Sequence, residues 1–334
     1  MEYRLLGRTG IKVSKFCFGT MSFGGDADVD EAARMFGACR DLGFNFFDCA
    51  DGYSAGRAEQ ILGGLIAGQR DQLVIASKCF NPTSRDVNDR GGTRRHIPRA
   101  VEASLKRLGT DRLDILFMHR FETNAPVDET LRALEDLVRA GKVLYIGASN
   151  YAAWQVAKSL GVSERRGWTR FDVIQPMYNL VKRQAEVELF PLAQAEQLGV
   201  VTYSPVGGGL LSGKFRPGQK PNGGRLIENA NYTMRYGEEW MTETAGHFTE
   251  FAEAQGVHPV TLAVAWAAAH PAVTCPIIGA RSLEQLKPSL AALDFPLSDD
   301  MRAEIAALKS AQTPASKPRK GTSTGGTPPE DAGG

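Results

Sequence analysis

The amino-acid sequence predicts an α/β fold of the (β/α)8 (TIM) barrel type, with a β-hairpin ahead of the barrel. Two observations predict it. Short apolar runs alternate with helical segments along most of the 334 residues, the pattern of parallel strands buried on both faces. Run after run also ends in a polar, chemically capable residue: Asp48, Lys78, His119, Ser149-Asn150, Gln175, Tyr203-Ser204. Polar groups gathered at the carboxyl ends of strands are what such a barrel uses to build a site.

Each element follows in order. The stretch from Tyr3 to Val13 reads as a hairpin turned at Gly7 and Gly10. Strands are expected at 16–19, 44–48, 73–77, 113–118, 143–148, 173–177, 200–203 and 273–278. A helix over 29–42 carries Ala32, Ala33 and Phe36 on one face, with Asp28 placed to cap it and Glu31 three residues on. A helix over 97–108 carries Val101, Leu105 and Leu108 and stops at Gly109. One over 128–138 carries Leu131, Leu134 and Leu137 and ends near Gly141, and one over 186–198 stops at Gly199.

The spacing between strands roughly doubles from Tyr203 to Val273. That insertion holds Gly207-Gly208-Gly209, an irregular stretch through Tyr236, and helical patterns at 244–255 and 260–269. Long insertions in compact folds are usually functional, and this one is expected over the barrel mouth. Its Phe215, Tyr232, Tyr236 and Trp240 either wall a pocket or pack the loop onto the body. Helices over 283–293, interrupted at Pro288, and 299–308 close a domain of residues 1–308. Residues 309–334 are mostly Pro, Thr, Ser, Gly and Lys, the composition of a disordered tail.

The bulk composition excludes several classes. A net charge of +1 provides no field for nucleic acid or an anionic membrane. No signal peptide is expected, because Met1-Glu2-Tyr3-Arg4 opens with charge and no apolar stretch follows, and no apolar run reaches the ~18 residues of a membrane span. The five cysteines lack paired spacing, so buried reduced thiols in a cytoplasmic compartment are expected. The five histidines lack ligand spacing, so no metal site is expected. The expected partner is a small-molecule carbonyl or alcohol, with a homo-oligomer left open.

Three strand-end side chains and a loop tyrosine together compose an acid. Tyrosine in water has a pKa of about 10. A neighbouring ammonium favours the phenolate and lowers that value. Lys78 supplies the charge, Asp48 holds Lys78 by an ion pair, and Tyr53 becomes the acid that protonates a carbonyl oxygen. His119 can donate a hydrogen bond to the same oxygen. Singly these are a strand-end cap, a surface lysine, a turn tyrosine and a core histidine. Together they suit carbonyl reduction, and the hydride must come from a cofactor.

The same face offers a cofactor groove. Gly19 ends the first barrel strand, and Thr20 and Met21 follow it into the same face. Ser149, Asn150 and Gln175 suit a carboxamide, and Tyr203 a planar ring. Ser204, Pro205, Val206, Gly209, Leu210, Ser212 and Lys214 bring backbone amides and one cation to a pyrophosphate. Gly279, Ala280, Arg281 and Ser282, with Gln285 one turn on, open a helix whose start suits a phosphate monoester. That favours NADP(H) over NAD(H); the plain alternative for Arg281 is a solvated helix-start arginine. No Gly-x-Gly-x-x-Gly follows a first strand, so a Rossmann site is disfavoured. Met21, Phe23, Phe80, Phe121 and Tyr236 are candidate walls of a partly apolar substrate pocket.

In this order the residues resemble the aldo-keto reductase family. The matching stretches run from Asn45 to Tyr53, Ile75 to Lys78, Asp114 to His119, Gly147 to Tyr151, Gln175 to Leu180, Tyr203 to Pro205 with Gly209 to Lys214, and Pro276 to Ser282. They cover roughly residues 1–308. The resemblance implies an eight-stranded barrel with NADPH extended across its mouth. It implies a tetrad of Asp48, Tyr53, Lys78 and His119 with Tyr53 as general acid. It also implies nicotinamide contacts from Ser149, Asn150 and Gln175, ring stacking on Tyr203, and 2′-phosphate contacts near Arg281 and Ser282. Where that family usually places a Glu-Asn pair for the adenine, Pro288 and Ser289 stand here. Potassium-channel β subunits resemble the same family, so a cofactor-binding regulatory subunit is a second reading. A third, an isomerase or aldolase using Lys78 as a Schiff base, leaves Tyr53 and Asp48 without a purpose.

Overall fold

The computed structural model describes residues 1–216 and 223–308; the expected tail over 309–334 lies outside the described residues. The hairpin pairs β1 (Tyr3–Leu5) with β2 (Lys12–Ser14) antiparallel. Eight parallel strands follow: β3 (Cys17–Gly19), β4 (Phe46–Asp48), β5 (Val74–Cys79), β6 (Leu113–Met118), β7 (Val143–Ser149), β8 (Phe171–Gln175), β9 (Gly199–Thr202) and β10 (Cys275–Ile278). They close into a barrel in the order β10-β3-β4-β5-β6-β7-β8-β9. The expected (β/α)8 barrel and its leading hairpin are both present.

Strand alternation divides the apolar residues into two cores. One parity points inward: Cys17, Phe46, Val74, Ala76, Ile115, Phe117, Val173, Val201 and Cys275 fill the barrel, and Leu6 and Val13 of the hairpin join them. Tyr145 Oη donates to the Thr9 carbonyl at 3.0 Å, tying the hairpin loop to the barrel. The other parity, including Phe18, Phe47, Ile75, Leu116 and Met118, packs against the helices.

Those helices are α1 (Val29–Asp41), α2 (Arg57–Ile66), α3 (Ile97–Leu108), α4 (Val127–Arg139), α5 (Ala153–Arg166), α6 (Leu189–Ala195), α7 (Arg225–Glu228), α8 (Ala230–Tyr236), α9 (Glu239–Ala254), α10 (Pro259–Ala268), α11 (Leu283–Ala291) and α12 (Asp299–Ala307). Asp28 caps α1 as expected, accepting from the Glu31 amide at 2.8 Å. On α3 the buried face is Ile97, Val101, Leu105 and Leu108, the stripe its spacing predicts.

Four local expectations are corrected. The periodicity singles out no helix over 57–66 or 153–166, yet both regions are helical. Glycines weaken those patterns, and packing overrides propensity. At Gly63 a Cβ would stand 2.7 Å from the Leu108 carbonyl, so the glycine lets α2 lie directly on the end of α3. The stretch through Tyr236 is not wholly irregular, because α7 and α8 occupy part of it. The helix expected over 186–198 is shorter, and Gln197 (φ 55°) reverses the chain while Gly199 begins β9. Pro288 does not interrupt α11, which runs through it; its carbonyl is held by Thr261 Oγ1 at 2.7 Å.

Candidate active site

Strand alternation also explains why the polar residues converge. Asp48 shares the inward parity of Phe46, Lys78 that of Val74 and Ala76, His119 that of Ile115 and Phe117, Gln175 that of Val173, and Tyr203 that of Val201. Each is the next inward position at the carboxyl end of its strand. Five non-glycine residues with positive φ lie in the loops just beyond these ends: Ser54, Ala55, Phe80, Asn150 and Ser204. Such conformations are unfavourable for residues with a side chain, and they cluster where a fold re-aims chemistry.

Lys78 lies at the centre. Its Nζ donates to Asp48 Oδ2 at 2.5 Å, to the Cys49 carbonyl at 2.8 Å and to Tyr53 Oη at 3.2 Å. Lys78 is only 1% exposed and Asp48 2%. Burial opposes the charge on Lys78, but Asp48 and Tyr53 outweigh it and hold its pKa above the ordinary value. With the ammonium donating to the phenol oxygen, the phenol proton is left for an acceptor in the cleft.

Tyr53 differs from expectation in one respect. Burial pushes its pKa up to about 12, and the nearby ammonium, which pulls it down, does not overcome this. The tyrosine is therefore held protonated, as an acid must be. His119 stands edge-on to Tyr53, ring centroids 6.1 Å apart. Burial, then Lys78 and Arg120, push its pKa down to about 3, so the ring is neutral. A residue outside the expected set, Asn81, has its Nδ2 3.2 Å from His119 Nδ1. The signal that could have found it is its place just beyond the strand that carries Lys78.

The expected carboxamide contacts are linked to one another and to the tetrad. Gln175 Nε2 donates to Asp48 Oδ1 at 2.9 Å, and Ser149 Oγ to the Gln175 carbonyl at 3.1 Å. Asn150 Nδ2 donates to the His119 carbonyl at 3.0 Å, and Tyr203 Oη to Asn150 Oδ1 at 2.6 Å.

A cleft of about 1360 Å³ joins these groups to the insertion and to the start of α11. Its lining includes Asp48, Tyr53, His119, Ser149, Asn150, Gln175, Tyr203, Ser204, Pro205, Val206, Gly209, Ser212 and Lys214, together with Gly19, Met21, Gly279, Ala280, Arg281 and Gln285. Thr20 and Leu210 stand behind that wall: Thr20 Oγ1 donates to the Asp48 carbonyl and Leu210 is buried. Ser282 caps α11, its Oγ accepting from the Gln285 amide. Arg281 is held by Asp26 at 3.1 Å and Glu228 at 3.2 Å, neighbours the sequence did not disclose.

The expected substrate walls divide. Met21, Phe121, Phe215 and Tyr232 line the cleft. Phe23 does not; it is fully buried, 5.8 Å from the Phe18 ring. Phe80 is not among the lining residues and packs on the outer core. Tyr236 is also buried, its hydroxyl accepting from Asn179 at 3.2 Å, and Trp240 bonds Glu238. These aromatics pack the insertion onto the body instead of facing the cleft.

The cleft fits a dinucleotide. It exceeds the ~300–1,000 Å³ of most single-ligand pockets. Its wall carries the amide side chains of Asn150 and Gln175, the Tyr203 ring, and the cationic side chains of Lys214 and Arg281.

Comparison with known proteins agrees with this geometry. A sequence profile described as the aldo/keto reductase family matches residues 15–310. The chain is 39% identical to the uncharacterized oxidoreductase YrpG of Bacillus subtilis, covering 90% of this chain and 94% of that one. It is 36% identical to a probable voltage-gated potassium channel subunit beta of Arabidopsis thaliana, covering 88% and 92%. It is 34% identical to a putative aryl-alcohol dehydrogenase of Schizosaccharomyces pombe, covering 89% and 93%.

Proposed function

The chain belongs to the aldo/keto reductase family, and on that premise we propose that it reduces an aldehyde or ketone to the alcohol, or runs the reverse, using NADP(H). The observation that carries the reading is the buried Asp48–Lys78–Tyr53 chain opening on the cleft beside His119.

A bound nicotinamide cofactor supplies the hydride. The chain's own residues do the rest. Tyr53, its oxygen held by the Lys78 ammonium, gives its proton to the substrate oxygen as charge develops there. The ammonium then stabilises the resulting phenolate, and Asp48 keeps that ammonium charged and aimed. His119, neutral, hydrogen-bonds the same oxygen and orients the carbonyl. In the reverse direction Tyr53 takes the proton back. Preference for NADP(H) is supported by Arg281 at the start of α11, where a guanidinium and a helix N-terminus suit a 2′-phosphate.

The test is Tyr53→Phe with a panel of reactive aldehydes, followed by absorbance. Turnover should fall by about 10²–10⁴-fold while NADPH still quenches protein fluorescence. Unchanged turnover removes Tyr53 from the role. Arg281→Gln should weaken NADPH binding and leave NADH binding nearly unchanged.

A second reading is favoured by the channel-subunit relatives: a cofactor-binding regulatory subunit. It predicts a stoichiometric protein partner and no turnover on any carbonyl of the panel.

A further inference from the structure

We propose that Asn81 is a positioning residue: its carboxamide selects the His119 tautomer that presents an N–H to the substrate oxygen. The inference rests on the carbonyl-reduction reading above, and it concerns a residue outside the tetrad.

A neutral imidazole has one N–H and one lone pair. Which nitrogen holds the proton decides whether the ring can donate to a ligand. The charged and titratable groups around His119 are Lys78 of β5, Tyr53 of the loop after β4, and Arg120 next in the chain. Burial, and after it the two cations, disfavours an imidazolium, so a second N–H is not supplied by protonation. The tautomer must then be set by whatever partners the nitrogen away from the substrate.

Asn81 is placed to be that partner. Its Nδ2 lies 3.2 Å from Nδ1. An amide nitrogen only donates, so Nδ1 accepts and the proton stays on Nε2. Asn150, the other amide nearby, bonds the His119 carbonyl and leaves the ring alone.

The backbone gives an independent indication. Simple alternation beyond Lys78 would turn residue 80 inward and residue 81 outward. The opposite occurs: Phe80 is off the cleft wall and Asn81 reaches His119. The reversal is made at Phe80, whose φ of 146° is rarely adopted by a residue with a side chain. The Phe80 carbonyl accepts from the Gly91 amide at 2.8 Å, and the Cys79 carbonyl from the His119 amide at 3.0 Å. Pro82 restricts the Asn81 backbone further. A strained residue pinned on both sides re-aims a polar side chain at a ring that needs a donor.

The experiment uses the full chain labelled with ¹⁵N-histidine, read by long-range ¹H–¹⁵N correlation. His119→Phe serves only to assign the ring signals. The wild type should show the proton on Nε2. Asn81→Asp keeps the size of the side chain but can only accept from Nδ1, so the proton should move to Nδ1. Its kcat for aldehyde reduction should fall about ten- to a hundredfold. NADPH affinity and the thermal midpoint should stay put. Acid should restore part of that loss, because an imidazolium carries N–H on both nitrogens. Asn81→Ala should lose less than Asn81→Asp, an order that a packing role would reverse. A wild-type proton on Nδ1, or Asn81→Asp with wild-type kcat and pH profile, overturns the proposal. A wild-type chain that reduces no carbonyl overturns the reaction reading, while the spectrum still decides the contact.

Discussion

Lys78 aims its ammonium at a carboxylate, a backbone carbonyl and a phenol, and this one side chain sets the chemistry around it. Lys78→Met would leave the Asp48 carboxylate buried with only Gln175 for a side-chain partner. Breaking a buried pair from one side costs about 3–5 kcal/mol, so urea unfolding should shift by that order. Adding Asp48→Asn should recover much of the stability and none of the turnover. Failure of the double variant to recover would mean that Lys78 matters to the fold through contacts other than Asp48. The shifted groups also fix a pH dependence. The His119 pKa is depressed to about 3 and that of Tyr53 raised to about 12, so neither changes charge in between. The kcat/KM for reduction should be level from about pH 5 to 9 and fall only on an alkaline limb. An acid limb near neutrality that disappears in His119→Gln would show that the ring titrates after all.

At the scale of elements, the period of two in each strand does most of the work. It sends apolar residues into the barrel along its length and a polar one into the cleft at its end. Strand packing depends on small residues at tight points. At Gly147 of β7 a Cβ would stand 2.5 Å from the Phe117 ring and 2.9 Å from the Val173 carbonyl. Gly147→Ala should therefore destabilise by about 1–3 kcal/mol through overpacking. Because Ser149 lies two residues on, cofactor affinity should fall as well. Calorimetry and fluorescence titration check the two effects separately. The insertion shows the opposite behaviour. Its aromatics Tyr236 and Trp240 carry no periodic signal, and only packing decides that they face the body and not the cleft.

For the molecule as a whole, a buried carboxyl group stands out among the described residues. Asp51 is 2% exposed, and neither carboxylate oxygen has a hydrogen-bond partner. Burial, then nearby Glu59, push its pKa up to about 7. The folded state therefore holds this proton more tightly than the unfolded chain does. Its contribution to stability is greatest below the unfolded value of 3.8 and is lost as pH rises toward 7. The swing is at most about 4 kcal/mol. Unfolding free energy measured by urea at pH 5 and pH 8 should drop across that interval, and Asp51→Asn should flatten the drop. An identical slope in the variant would place the titration elsewhere.

The sequence by itself determined the barrel, its strands and the residue types at their ends, because burial imposes a period on the chain and lets polar side chains stand inward only where a strand reaches the barrel mouth. Asp48, Tyr53, Lys78 and His119 were legible for that reason, and so was the family. Tertiary structure alone decided what those groups experience. Desolvation outweighs the ammonium at Tyr53, Asp26 and Glu228 flank Arg281, and Phe23 faces the core. Asn81 reaches His119 only because the backbone at Phe80 breaks the alternation. Such effects depend on distances between segments far apart in the chain, and a linear pattern of apolar and polar residues does not encode them.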